Sequence, residues 1–448
     1  MKKYILIILC CLTSFPLWSY NVNMIVEHYS VDQGLPNNTV NCTLKDRDGF
    51  IWFGTWYGLC CFDGVKFKTF NKQEHDSDVP PRKIQRIVED KNGYIWVKTI
   101  DRKLYVFNKV TECFHAVYDD MKNYSENIQV IKLQNTAEGD VLLLTKDKNL
   151  LLAGVDEKGQ VTIKILFDSR DEINKHDYTL KHHVLCETEE YISWIGTDYK
   201  VSAVHKGAEL ASRPADFITS KINSGDKDSF TSFFEDGRKV WVGDRAGIFY
   251  SIDVRTGLVN RYVLSEIKGA ISNLLVTPAG YVYLSVAGQG TYEYDLAERR
   301  LQKINTEMND AMVTHAFIDQ YDKIWFHENE KALIYYDPLN HTAKRFPFTM
   351  FGKITTLYSE DAGERGLFFL SPAGEAWLFD SEHAEMVYIN KLKQLSNDRA
   401  NQQFYHLMLD NDGVLWLSSA DEGVYCMNFP KKQFNLLSLS PQSAGQEN

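Results

Sequence analysis

Beyond its first twenty residues, this 448-residue chain has no apolar run approaching the ~20 residues a membrane helix needs. Nothing after that stretch is therefore expected to cross a bilayer. Proline is scarce, with 11 residues, and no Pro/Ser-rich linker divides the chain, so one continuous array is expected. A basic block is also lacking. Lys and Arg number 49 against 60 Asp and Glu, for a net charge of −11, which suits a nucleic-acid phosphate backbone poorly. The eight cysteines follow no regular spacing and include no C-x-x-C pair, which argues against a metal centre, a redox motif or a disulfide framework. Cys42, Cys60, Cys61, Cys113, Cys186 and Cys426 read as small buried hydrophobes. Helical signals are nearly absent, and Ser265 to Ile271 and Asn390 to Asn397 are expected to be loops or single turns.

Aromatic residues are abundant at 13%, with 9 Trp, 24 Tyr and 25 Phe beside 27 Gly, a balance that favours strands. Hydrophobic residues at 44% and charged residues at 24% fit a globular chain. The first twenty residues have the layout of a secretory signal peptide. Lys2 and Lys3 supply the positive start, Ile5 to Leu12 the apolar stretch, and Pro16 to Ser19 the breaker. No small residue stands before Cys10 or Cys11 as a lipidation site would require. The remainder is expected to be exported.

Internal repetition decides the fold. The clearest unit runs from Leu44 to Phe67 and reads as strand, Asp-Gly turn, Trp-bearing strand, Gly-Leu turn, strand, Asp-Gly turn, strand. Copies recur at Asp90 to Trp96, Asp236 to Trp241, Asp319 to Trp325 and Asp410 to Trp416. With weaker units included, the anchors fall at 52, 96, 143, 194, 241, 283, 325, 369 and 416, spaced by 42 to 51 residues. That period suits a four-stranded propeller blade of ~40–50 residues. Unbroken apolar runs such as Ile51-Trp52-Phe53 fit strands covered on both faces, and Asp-Gly pairs supply the positive φ of tight hairpins.

The unit from Asp46 to Gly64, Asp-x-x-Gly-x-Ile-Trp-Phe-Gly-Thr-x-x-Gly-Leu-x-x-Phe-Asp-Gly, resembles the two-component regulator propeller repeat. Glu27 to Val40 is similar to the segment preceding the first such repeat, as in the periplasmic sensor half of Bacteroidetes hybrid two-component regulators. The resemblance implies an all-β fold in which a seven-bladed propeller of four-stranded antiparallel blades spans residues 21–347. Residues 348–448 would then be two further blades beginning an incomplete second propeller, with faster amide exchange than the first seven units. It also implies a non-catalytic, periplasmic ligand-sensing role, with an oligosaccharide from polysaccharide breakdown as ligand. Expected partners are the remaining propeller, immunoglobulin-like and kinase domains of a full-length sensor, with a homodimer formed through those domains. On this reading the chain is an N-terminal fragment or a truncated relative, with no nucleic acid bound in this region. The alternatives are a secreted propeller glycosidase or lyase, or an interaction scaffold without a ligand.

No cofactor, metal or catalytic residue is expected. Asp46-Arg-Asp-Gly49 and Asp410-Asn-Asp-Gly413 open like calcium loops but lack the closing ligands, so they read as hairpin turns. His182 and His183 are adjacent and would point to opposite faces of a strand. His327-Glu328 lacks the second His of a zinc-protease helix, and Gly288-Gln-Gly290 lacks the helix of a nucleotide loop. The turn Thr55-Trp56-Tyr57-Gly58 places two large aromatics where small or polar residues are usual. Trp56 and Tyr57, with Tyr199 in the comparable turn, are the candidate ligand contacts, since flat aromatic faces stack on sugar rings. Packing against the next blade, or against a domain outside this chain, is the other reading of these aromatics.

Overall fold

The computed structural model describes residues 25–70, 80–122, 129–147, 149–167, 185–187, 190–195, 200–206, 217–221, 230–304, 313–319, 321–328, 331–351, 358–361, 367–371, 375–380, 384–391 and 404–428. The expected leader, His182, His183 and Tyr199 lie outside these residues. The fold is an all-β propeller. The described strands form nine four-stranded antiparallel sheets, eight of them built from four consecutive strands. The first sheet contains Val40–Lys45, Ile51–Thr55, Gly58–Phe62 and Phe67–Phe70. The second contains Ile84–Glu89, Ile95–Thr99, Leu104–Asn108 and Cys113–Ala116. Among the described residues, helix is limited to short turns such as Val31–Gln33, Tyr118–Met121 and Phe348–Phe351.

The Asp-x-x-Gly-x-x-Trp unit folds through the Asp as much as through the Gly. Gly49 turns with φ +93°, which a side chain would resist. Asp46 is buried beside it, and Oδ1 accepts the N–H groups of Asp48 at 3.0 Å and Phe50 at 2.9 Å. Its Oδ2 accepts Trp52 Nε1–H at 2.7 Å. The same Asp–Trp bond recurs from Asp90 to Trp96, Asp236 to Trp241, Asp319 to Trp325 and Asp410 to Trp416, at 2.7–3.1 Å. A buried carboxylate is thus satisfied by three donors, and each indole is held at a fixed angle. Strand register corrects three anchors: Leu142, Ser193 and Phe368, not Leu143, Trp194 and Phe369, take the place of Trp52 in the third, fourth and eighth sheets.

Anchor side chains stitch neighbouring sheets together. Trp52 packs among second-sheet residues, Trp96 among third-sheet residues, Trp325 among eighth-sheet residues, and Trp416 among first-sheet residues. The leading strand carries a β-bulge after its first residue in seven sheets, as at Asn41 and Thr231. A bulge re-aims the side chain it frees. Asn41 Nδ2 donates to the Ile84 carbonyl at 2.6 Å, and Thr231 Oγ1 to the Ile271 carbonyl at 2.7 Å, each in the following sheet. Gly54 is required where these sheets approach. A Cβ there would lie 2.4 Å from Cys42 Sγ and 2.5 Å from Ile84 Cγ2.

The ninth sheet departs from the pattern. It supplies Phe404–Leu409, Val414–Ser419 and Val424–Asn428, and its outer strand is Ile25–Tyr29 from the other end of the chain. Ile25 pairs with Asn428, and Tyr29 with Val424. The seam is reinforced by Thr43 Oγ1 and Ser418 Oγ at 2.6 Å, by the Lys45 ion pair with Asp412, and by Gly423 N–H to the Asn38 carbonyl at 2.9 Å.

The described sheets share cores across the expected boundary at residue 347. A self-contained seventh closure would set the seventh sheet against the first. Among the described residues, the seventh sheet instead shares a core with the eighth across position 347, through Trp325, Phe346, Phe348, Phe369 and Phe379. The eighth shares one with the ninth, and the ninth with the first. The physical reason is edge satisfaction. A ninth sheet of three strands would expose an unpaired row of backbone groups, which the amino-terminal strand covers. Cys42, Cys60, Cys61, Cys113 and Cys426 are free thiols. Burial pushes the Cys42 and Cys60 thiols up to about 12, so they are inert packing groups.

Candidate ligand-binding turn

The first sheet's second hairpin carries Trp56 and Tyr57 between Ile51–Thr55 and Gly58–Phe62. Thr55 Oγ1 accepts the Tyr57 N–H at 3.1 Å and donates to the Gly58 carbonyl at 2.8 Å, which fixes the turn. Gly58 adopts φ +133°, a conformation only glycine enters freely. Both aromatics project: Trp56 is 41% exposed and Tyr57 64%. Lys83 Nζ lies 5.2 Å from the Trp56 ring centroid, so one indole face is shared with a cation. The turn is tied to its neighbours through the backbone. Trp56 N–H donates to the Thr39 carbonyl at 3.2 Å, Lys83 N–H to the Trp56 carbonyl at 2.9 Å, and Ile100 N–H to the Lys83 carbonyl at 2.9 Å.

The cations around this turn were not singled out by the sequence reading. Lys83 and Arg86 stand at the start of Ile84–Glu89, Lys98 near the end of Ile95–Thr99, and Arg102 in the following turn. Arg86 and Lys98 are directly opposite each other in the strand register. The signal was in the repeat: Lys98 occupies the position held by Gly54 in the first sheet.

Other clusters are internally satisfied. Asp46, Asp48 and Glu89 converge closely enough to hold a metal ion, yet Lys109 Nζ sits among them at 3.1, 2.7 and 2.8 Å. Burial opposes the charge of Lys109, but its hydrogen bonds to the three carboxylates outweigh it and raise the ammonium above its ordinary range. Glu328, from His327-Glu328, accepts Arg345 Nη2 at 2.9 Å and Nε at 3.2 Å. His327 is held below its usual value by burial and by nearby His315. Gly288 and Gly290 form the hairpin after Tyr281–Val286.

The glycine-flanked approach, the buried Asp–Trp pair and the aromatic turn lie in one continuous stretch. Residues 34–57 match the two component regulator propeller family. Solved structures with similarity to this chain include extracellular domains assigned to two hybrid two component systems of B. thetaiotaomicron. One is 14% identical with a TM-score of 0.35, covering 89% of this chain and 65% of that one. The other is 15% identical with a TM-score of 0.34, covering 92% and 61%. BamB from Moraxella catarrhalis is 11% identical with a TM-score of 0.42, covering 92% and 99%. This chain therefore spans less than two thirds of the length of those two sensor domains. No curated protein matches the sequence. No helix among the described residues is long and apolar enough to cross a membrane.

Proposed function

We propose that this chain is a non-catalytic, exported ligand-sensing module of a hybrid two-component signalling protein, and that it contacts an oligosaccharide through Trp56 and Tyr57. What supports the reading is that the family pattern, residues 34–57, ends on a rigid turn presenting both aromatics to solvent. A propeller rim with flat apolar faces and adjacent polar groups suits a sugar ring, whose C–H faces stack while its hydroxyls take hydrogen bonds. On this reading the leader directs the chain to the periplasm, the nine sheets close as one ring, and ligand occupancy biases domains beyond this chain by differential binding to two arrangements.

The test is calorimetric titration of the full chain with a panel of plant and host oligosaccharides, repeated on Trp56→Ala and Tyr57→Ala. The reading expects a saturable heat that either substitution weakens at least tenfold. Tight binding that both variants retain would remove the site, and product release from any oligosaccharide would replace the sensor with an enzyme.

A further inference from the structure

Two lysines are buried among the described residues, and they differ in their counter-charges. Lys206 is buried and lies 2.6 Å from Glu187 Oε1. Lys109 meets three carboxylates. Lys98 is only 5% exposed, and its Nζ bonds to the neutral Gln85 Oε1 at 2.5 Å, with no carboxylate within ion-pair distance among the described residues. Like charges lie near it. Arg86 is its cross-strand partner, and its ammonium is pulled below the ordinary value by burial and by Arg102. Like charges directly opposite across a strand pair are destabilising, and an unpaired buried charge more so. Lys83, Arg86 and Arg102 likewise have no ion pair among the described residues. The carboxylate of the same turn, Asp101, accepts from Thr99 Oγ1 and lies 3.3 Å from Lys103 Nζ, so it is committed elsewhere. Arg86 also reaches the ninth sheet, where it helps hold His406 neutral.

We infer that Lys98, Arg86 and Arg102 form an anion site at the inner end of the second sheet, and that the ligand stacked on Trp56 and Tyr57 bears a carboxylate or sulfate directed into it. This deepens the reading of the aromatic turn and depends on it for the sugar, but not for the anion. Lys83 joins the two halves, since its backbone is bonded to Trp56 and its ammonium lies over the indole. An anionic group would supply the counter-charge that the fold withholds, and a neutral sugar would leave the cations as they are. The overall charge of −11 does not oppose this, because screening over ~8 Å makes the local cluster decisive.

Two measurements on the full chain separate the parts. Thermal melting with and without inorganic sulfate, at matched ionic strength, reads the anion site alone. Wild type is expected to be stabilised, and Lys98→Met, which keeps the stem and removes the charge, is expected to lose that response. Titration with tri-galacturonate, a sulfated chondroitin disaccharide and neutral cellotriose reads the sugar. At least one acidic probe should bind tenfold or more tightly than cellotriose, weaken with salt, and lose at least tenfold in Lys98→Met and Arg86→Ala. Equal melting shifts in wild type and Lys98→Met, or none in either, would overturn the anion site. Cellotriose binding as tight as the acidic probes and unaffected by Lys98→Met would do the same while leaving the aromatic turn intact. Sulfate stabilisation without any oligosaccharide binding would keep the anion site and remove the sugar.

Discussion

Glu293 and Lys98 are equally buried, at 5% exposure, and the fold treats them in opposite ways. Glu293 lies on Gly290–Asp295 of the sixth sheet, and its Oε2 accepts Tyr283 O–H at 3.0 Å and Tyr336 O–H at 3.2 Å. Tyr336 belongs to the seventh sheet and also contacts His341 Nδ1 at 3.1 Å. Burial and the Glu293 charge raise both phenols well above the ordinary tyrosine range. The carboxylate is therefore a bolt between two sheets, held by two phenol donors on Oε2. Lys98 carries a buried charge that no carboxylate among the described residues neutralises. A satisfied buried charge reports on folding; an unsatisfied one leaves bonding capacity for something that binds.

The largest expected effect comes from breaking the satisfied side. Glu293→Ala removes an acceptor from two buried phenols and leaves a void, and should lower unfolding stability by about 4 kcal/mol in urea titration. A loss below about 1 kcal/mol would show that the bolt is not structural. Next is pH. His406 has its folded value lowered from 6.5 to about 4, by burial and then by Arg86. Between those values the unfolded chain binds the extra proton, so stability is full above 6.5 and declines as pH falls toward 4. The expected decline is about 2.4 kcal/mol relative to His406→Gln, read from denaturation at pH 7 and pH 4.5. An identical decline in both proteins would detach His406 from acid sensitivity.

On the unsatisfied side, Lys98→Met should raise stability by about 1 kcal/mol in anion-free buffer, the reverse of the usual sign for a buried substitution. A loss of similar size would mean that Lys98 is neutralised within the fold, and the contrast with Glu293 would collapse. Smallest of all, Tyr57→Ala should alter stability by less than about 0.5 kcal/mol, because its ring is mostly in solvent. A larger cost would assign Tyr57 to packing and not to recognition.

Much of the fold was legible because the repeat carries its own chemistry. Asp-x-x-Gly-x-x-Trp marks the turn, the anchor and the period together, and the strands fall where Trp52, Trp96, Trp241, Trp325 and Trp416 place them. The hydrogen bond from indole to Asp was hidden, since a turn Asp reads equally well as exposed. The seven-plus-two division could not be read from the period, which counts units without saying which unit meets the first. Only the pairing of Ile25–Tyr29 with Val424–Asn428 carries that information. At the site, the exposure of Trp56 and Tyr57 followed from their position in a turn. Lys98 escaped notice because a lysine within Ile-Trp-Val-Lys-Thr looks like an outward strand residue, and its burial depends on the facing sheet.

The ninth sheet also sets the order in which the molecule can be completed. Most strand pairs join neighbours in sequence, so each sheet can form soon after its residues are made. The last pairing joins residues such as His28 and Glu422, 394 positions apart. Closing a loop of that span costs about 2 kcal/mol more in chain entropy than closing a ~45-residue unit, since each doubling adds about 0.6. Ile25–Tyr29 must therefore wait unpaired for Val424–Asn428, which gives this closure the slow, non-local character of high contact order. Its sequence suits the wait: Glu27 and His28 interrupt a five-residue strand that would otherwise be a sticky edge. Moving Ile25–Tyr29 to follow Asn428 would turn the slowest closure into a local hairpin.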